Sequence, residues 1–159
     1  MESSNKIHDL LNDAISNEMN SIRHYVVQHV VQDSWGYHAL AATTMARAIE
    51  EMKHARCLIE RLVFLQGTPE LEANEPLSIG ATVKDQFEAS LASERDDVGG
   101  LNVWIDVCGK EGDHGTGALL GDILKDEERH VAYLDSQLHV IEETGLASYL
   151  SEQLGKREP

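Results

Sequence analysis

Apolar residues at Ile7, Leu11, Ile15 and Ile22 recur at the spacing of one helical face, and no proline or glycine interrupts the run before Gly36. This pattern predicts a long first helix. Glu18 falls in the same stripe, between Ile15 and Ile22. A carboxylate at a core-facing position must be paired, protonated or bound to metal, because burying it alone is costly. Asp33-Ser34-Trp35-Gly36 reads as a turn, and a second helix is predicted over residues 37–65, ending at Gln66-Gly67. Residues 66–80 hold two of the three prolines and predict a long crossover, not a tight turn. A third helix is predicted over residues 82–107, a glycine-rich turn over 109–117, and a fourth helix up to residue 144 with Gly145 capping its end. Leu146, Tyr149, Leu150 and Leu154 then recur at helical spacing, predicting a short fifth helix over residues 146–155 that packs on its own bundle or touches a second subunit. No stretch alternates like a strand, so the fold class is all-α.

Two segments inside these helices carry the same chemistry. In Glu51-Met52-Lys53-His54 and in Glu127-Glu128-Arg129-His130, a carboxylate and an imidazole stand three residues apart, which puts both on one helical face. From Glu51 to Glu127 the offset is 76 residues, and other positions repeat at it: Ile7 with Val83, Leu11 with Phe87, Ile15 with Leu91, Leu58 with Leu134, Leu62 with Leu138, and Gly36 with Gly112. The odd carboxylate Glu18 falls opposite Glu94. The chain therefore consists of two copies of one helical hairpin, and two hairpins joined by a long crossover make a ferritin-like four-helix bundle. Its inward polar set is Glu18, Glu51, His54, Glu94, Glu127 and His130. One E-x-x-H is ordinary helix surface, but two of them in register with two core-facing carboxylates point to a pair of metal ions. Mixed oxygen and nitrogen donors suit iron or manganese, whereas a structural zinc site closes with four ligands and favours thiolates. Four carboxylates offset two divalent cations, so metal binding is expected to release protons and stiffen the bundle.

Composition narrows the function further. At 159 residues and 42% hydrophobic content, the chain fits one domain over residues 1–159, with the four helices occupying about 5–144. A net charge of −15 with no basic tail argues against a nucleic-acid partner, and the acidic balance reads either as solubility or as attraction of cations. Residues 1–6 are polar and no run approaches the roughly 20 apolar residues of a membrane span, so a cytoplasmic address without a membrane partner is expected. Cys57 and Cys108 are too few for a disulfide framework and lack a C-x-x-C pattern, which excludes a rubredoxin-type iron site and predicts two reduced, part-buried thiols.

The opposite faces of the first two helices are also apolar. Met45, Met52 and Ile59 repeat at seven-residue steps, and Met19, Val26 and Val30 point away from the Glu18 side. At the 76-residue offset these become Gly121, Glu128 and Asp135, and Arg95, Asn102 and Asp106, so the stripe exists in the first copy alone. A symmetric dimer through the first and second helices accounts for the difference. Met52 is then either interface packing or a thioether ligand that holds one haem with its symmetry mate.

The sequence resembles bacterioferritin from the first helix to the last. The resemblance rests on Glu18, Tyr25, Trp35-Gly36, Glu51-Met52-Lys53-His54-Ala55, Glu94, Asp126-Glu127-Glu128, His130, Gly145-Leu146 and Tyr149-Leu150. It implies that Glu18, Glu51, His54, Glu94, Glu127 and His130 are di-iron ligands with Glu51 and Glu127 bridging, and that Met52 is the ligand of a b-type haem shared by a subunit pair. It implies oxidation of Fe(II) by dioxygen or peroxide and storage of ferric mineral in a hollow homo-oligomeric shell of twenty-four subunits. The competing functions are a stand-alone di-iron or di-manganese oxidase or peroxidase, and a haem-binding shell subunit with little ferroxidase activity. Tyr25 lies about 10 Å along the first helix from Glu18 on nearly the same face, placed to hydrogen-bond a ligand, to donate an electron, or simply to fill the core. The chain departs from the family at Ala46 and Arg47, where many members have histidine and acidic residues, which counts against an inner-surface iron site while leaving Glu50 available. His24 is expected at the surface or an interface, His29 is too far along the helix to be a ligand, and the glycines from Gly109 to Gly121 are expected to loosen the corner between the third and fourth helices.

Overall fold

A computed structural model describes residues 4–73 and 75–156. Among them are four long helices and a short fifth: α1 (Asn5–Ser34), α2 (His38–Phe64), α3 (Val83–Glu111), α4 (His114–Thr144) and α5 (Leu146–Ser151). α1 pairs with α2 and α3 with α4, and the two hairpins meet through α1 against α3 and α2 against α4. The repeat seen in the sequence is thus a repeat of hairpins, joined by the crossover.

The bundle is layered along its axis. One apolar cluster fills one end with Ile7, Leu11, Ile15, Leu58, Leu62 and Leu120. A second fills the other end with Leu40, Val83, Phe87, Leu134, Ile141 and Tyr149. Between the clusters in each of the four long helices lie the inward carboxylates and histidines. Next to them, toward the second cluster, is a polar layer that the hydrophobic pattern does not announce. There Gln32 Nε2 donates to Gln86 Oε1 at 2.9 Å, Thr44 donates to Gln32 Oε1 at 2.6 Å, and Gln28 Nε2 donates to Ser90 Oγ at 3.1 Å, all buried.

The crossover is strapped along α1 by side chains one helical turn apart. Asn12 exchanges hydrogen bonds with Thr68 O and Glu70 N, Ser16 donates to Glu72 O, Arg23 donates to Ala73 O and Glu75 O, and Asn20 accepts from Glu75 N. His24 completes the series with Nε2 accepting from Ser78 N at 3.4 Å, while its Nδ1 bonds Asn20 O at 2.9 Å. It is therefore a half-buried clamp within the chain. Hydrogen bonds supplied by α1 replace those that secondary structure would have given this segment.

The corner between α3 and α4 is tighter than its glycines suggest. Instead of a turn over residues 109–117, α3 continues through Gly109 to Glu111 and α4 begins at His114. Gly112 takes a left-handed conformation (φ 74°) and its N–H reaches back to Gly109 O, while Asp113 caps α4 by accepting from Thr116 N at 3.0 Å. Arg61 of α2 bonds Asp113 at 2.7 Å and lies so close to Gly115 that a Cβ there would stand 2.8 Å from the guanidinium. The glycine makes room for a packed arginine and does not mark a loop.

The last helix is also shorter than predicted. α5 ends at Ser151 and Leu154 is 51% exposed. The chain leaves the helix because the carbonyls of Gln153 and Leu154 accept from the N–H groups of Ala39 and His38, satisfying donors that the first turn of α2 cannot pair internally. Tyr149 packs into its own bundle, edge-on to Phe87, and donates to Gln137 Oε1 at 2.7 Å. Cys108 is buried and Cys57 is exposed, both as free thiols; Cys57 thus lies further out than the part-buried position expected of it.

Candidate metal centre

The six inward residues come together in the middle of the bundle. Glu18 and Glu94 project from α1 and α3, and Glu51, His54, Glu127 and His130 from α2 and α4; all are buried. Their donor atoms form two overlapping groups, Glu18, Glu51, His54 and Glu127 in one and Glu51, Glu94, Glu127 and His130 in the other. Within each group the donor atoms lie within 4.8 Å of one another. Glu51 and Glu127 belong to both, the arrangement of two carboxylates each spanning two positions.

The hydrogen bonding of these residues is incomplete in a particular way. Among the described residues, six buried side-chain nitrogens and oxygens make no well-directed hydrogen bond, and four of them are Glu51 Oε1, Glu94 Oε2, Glu127 Oε2 and His130 Nδ1, which crowd together without pairing. Buried polar atoms are ordinarily satisfied, so their concentration in one layer fits a pair of cations. Bridging by two carboxylates, one terminal carboxylate on each side and one imidazole on each side is a donor set matched to iron or manganese.

Electrostatics agree. Burial pushes Glu51 up to about 9, with repulsion from Glu18 and Glu94 opposing the help of His54. Burial likewise pushes Glu18 up to about 7. Glu94 is driven well above the usual carboxylate range by burial and then by Glu127, and Glu127 is raised by its own burial. Burial alone would lower His54, but the carboxylates of Glu127, Glu18 and Glu51 outweigh it and raise it. Cations among these groups would let the carboxylates ionise together and displace a proton from the imidazole.

Each histidine turns Nδ1 toward the shared carboxylates and Nε2 away from them. His54 Nδ1 lies 3.0 Å from Glu127 and 3.2 Å from Glu51, and His130 Nδ1 lies 2.9 Å from Glu127 and 3.2 Å from Glu51. On the outer side, His54 Nε2 meets Asp126 Oδ2 at 3.0 Å and His130 Nε2 meets Glu50 Oε2 at 2.8 Å. Sequence reasoning assigned these two carboxylates no part at the centre, yet each immediately precedes a glutamate shared by both donor groups and the two are related by the same 76-residue offset. Asp126 is held below the usual carboxylate range because His54 and Arg129 outweigh its burial.

A ferritin-like domain family matches residues 8–144 of this chain. The bacterioferritin BfrA of Mycobacterium tuberculosis is 37% identical over 150 residues, 94% of each chain. The bacterioferritin of Brucella melitensis is 35% identical over 149 residues, 94% of this chain and 92% of that one, and that of Rhodobacter capsulatus is 32% identical over 145 residues, 91% and 90%. The chain belongs to the bacterioferritins.

Other residues that the bacterioferritin resemblance singles out occupy distinct surroundings. Tyr25 is buried beside the centre and its hydroxyl donates to Glu94 Oε1; burial, then the Glu94 charge, raises its pKa well above that of a free phenol. Met52 is 45% exposed, on the outside of α2. Val26, Val30 and Ile49 are exposed with it, whereas Met19 and Ile59 are half-buried against the chain's own core. His29 lies outside both donor groups, its Nδ1 bonding Ala41 O at 2.7 Å. Arg47 bonds Glu50 at 3.1 Å and lies over the Tyr133 ring.

A cavity of about 290 Å³ opens between α1, the crossover and α3 and reaches Tyr25 and Glu94. Asn17, Asn20, His24 and Asp97 also line it. Burial pushes Asp97 up to about 8, and Glu94 and Glu51 add to the rise. No helix among the described residues is long and apolar enough to cross a membrane.

Proposed function

We propose that this bacterioferritin stores iron and oxidises Fe(II) at an intra-subunit di-iron centre, with Glu18, Glu51, His54, Glu94, Glu127 and His130 as ligands and Glu51 and Glu127 bridging. The observation that carries this reading is the pair of overlapping donor groups sharing those two glutamates. When bound, the iron pair supplies two electrons to dioxygen or to peroxide. The chain's own part is to hold the donors fixed between two apolar clusters, to offset charge with four carboxylates, and to give up imidazole and carboxyl protons as cations arrive. Tyr25 fixes Glu94 through its hydrogen bond and stands close enough to give an electron. The acid-lined cavity is the approach for the cation, since clefts of one charge sign concentrate counter-ions.

The wider assembly follows the same reading. One domain over residues 1–159 forms dimers through α1 and α2, with Met52 of each partner on a shared b-type haem, and the dimers build a 24-subunit cytoplasmic shell around ferric mineral. Val26, Val30, Ile49 and Met52 are exposed on α1 and α2, and their counterparts in the second hairpin are Asn102, Asp106, Lys125 and Glu128, which favours the first hairpin as the face for a partner.

Aerobic Fe(II) oxidation by Glu18→Ala and His130→Ala, followed by ferric absorbance on protein shown to be folded and assembled, tests the centre. Loss of an outer hydrogen-bond partner at a metal site costs roughly 10–100-fold, and loss of a ligand is expected to cost at least that. Wild-type rates in both variants would overturn the assignment.

A further inference from the structure

His130 on α4 is met from behind by Glu50 of α2, and His54 on α2 is met from behind by Asp126 of α4. The contacts are reciprocal, each crossing between the same two helices in the opposite sense. Each carboxylate is in turn held by an arginine of its own helix, Glu50 by Arg47 at 3.1 Å and Asp126 by Arg129. The carboxylates repeat at the 76-residue offset but the arginines do not: Arg47 precedes Glu50 by three residues and Arg129 follows Asp126 by three. The second hairpin reaches the same result from the other side.

We propose that Glu50 and Asp126 are the positioning residues of the metal centre, each fixing the ring of the histidine opposite so that Nδ1 presents its lone pair to one metal position. The proposal rests on the reading of His54 and His130 as ligands. An ionised carboxylate accepts only, so Nε2 must keep its hydrogen and Nδ1 is the nitrogen that gives up its proton to become an acceptor when a cation arrives. The donated hydrogen bond also makes the imidazole a stronger donor to metal. The arginines keep each carboxylate from swinging inward to join the four already there. Because His54 belongs to one donor group and His130 to the other, the two positioning residues govern different metal positions.

Titration of the full-length, metal-stripped protein with Co(II), read from its visible ligand-field spectrum, separates the two positions. Glu50→Ala is expected to weaken one of the two Co(II) ions per subunit by about 10–100-fold and alter its spectrum, and Asp126→Ala to do so for the other. Glu50→Gln and Asp126→Asn, which keep an acceptor oxygen and lose the charge, are expected to fall between wild type and alanine. Two tight wild-type sites in both alanine variants, or equal weakening of both sites by either one, would overturn the proposal. His54→Ala and His130→Ala in the same titration keep the readings apart: if these leave Co(II) binding unchanged the ligand assignment itself fails, whereas their loss of one ion each alongside normal carboxylate variants sinks the positioning role alone.

Discussion

The Tyr25 hydroxyl donates to Glu94 Oε1, joining a buried phenol to a carboxylate of the metal layer across α1 and α3. The other oxygen of Glu94 is unpartnered, and Tyr25→Phe removes the donor to Oε1. Leaving a buried polar group unsatisfied costs about 1–3 kcal/mol, and the metal-stripped variant should lose stability on that order. Divalent metal, by ligating Glu94, should restore most of it. Thermal unfolding of both proteins with and without Co(II) checks this; an equal loss in both conditions would mean that the tyrosine is core packing alone.

Stability without added metal should fall as pH rises from about 5 to 9. Glu18 and Glu51 are held at about 7 and about 9, above their ordinary values. Across that window the folded chain therefore binds more protons than the unfolded one, and stability declines with pH. His54 is also raised, and the stability it contributes below its unfolded value is lost as pH rises toward its folded one, so it acts with the same sign. Each kcal/mol is worth about 2–4 °C in a chain of this size. Saturating divalent metal should flatten the dependence and release protons on binding, measurable by calorimetry in buffers of different ionisation enthalpy. A melting temperature flat from pH 5 to 9 without metal would contradict the cause assigned to these shifts.

Met52→Leu preserves the volume and apolar character of the outer face of α2 while removing the thioether. The variant is expected to assemble as wild type by size-exclusion chromatography and to lose the haem absorption band. Retention of the band at wild-type intensity would leave Met52 as interface packing. Val30→Asp, which writes the second hairpin's residue at an exposed position of α1, should instead weaken pairing between subunits, seen as a smaller particle by the same chromatography.

The sequence was most legible where two copies could be compared. Glu18 and Glu94 stand out because each interrupts an apolar stripe at equivalent positions, and the structure brings both to the same layer. The partners of the histidines were harder, since a carboxylate one residue before Glu51 or Glu127 looks like helix surface until the facing helix is placed. Gln28, Gln32, Gln86 and Ser90 were missed because amides and hydroxyls at core positions satisfy one another, a pairing that lies between helices and has no local signature. At Gly115 local signals misled outright: glycine there answers to the Arg61 side chain and not to backbone conformation.

The acid-lined cavity should set the rate at which cations reach the centre without setting how tightly they are held. Ser93 and Asp96 both line it, and neither belongs to the donor groups. Asp96→Asn removes one acidic group from the mouth of the cavity, and since charged clefts raise association rates by about 10–1,000-fold in all, a loss of a few-fold to about tenfold is expected, diminishing at high salt. Ser93→Phe fills the space and should slow arrival at any salt concentration. Stopped-flow mixing of metal-stripped protein with Co(II) gives the rate, and equilibrium titration gives the affinity. A slowed rate with unchanged affinity supports passage between α1, the crossover and α3. Unchanged rates in both variants would direct the search to a smaller cavity of about 20 Å³ among the four long helices, which also meets Tyr25 and Ser90 but is lined by Arg47. That positive charge disfavours a cation, and this is why the rates should follow the acidic side.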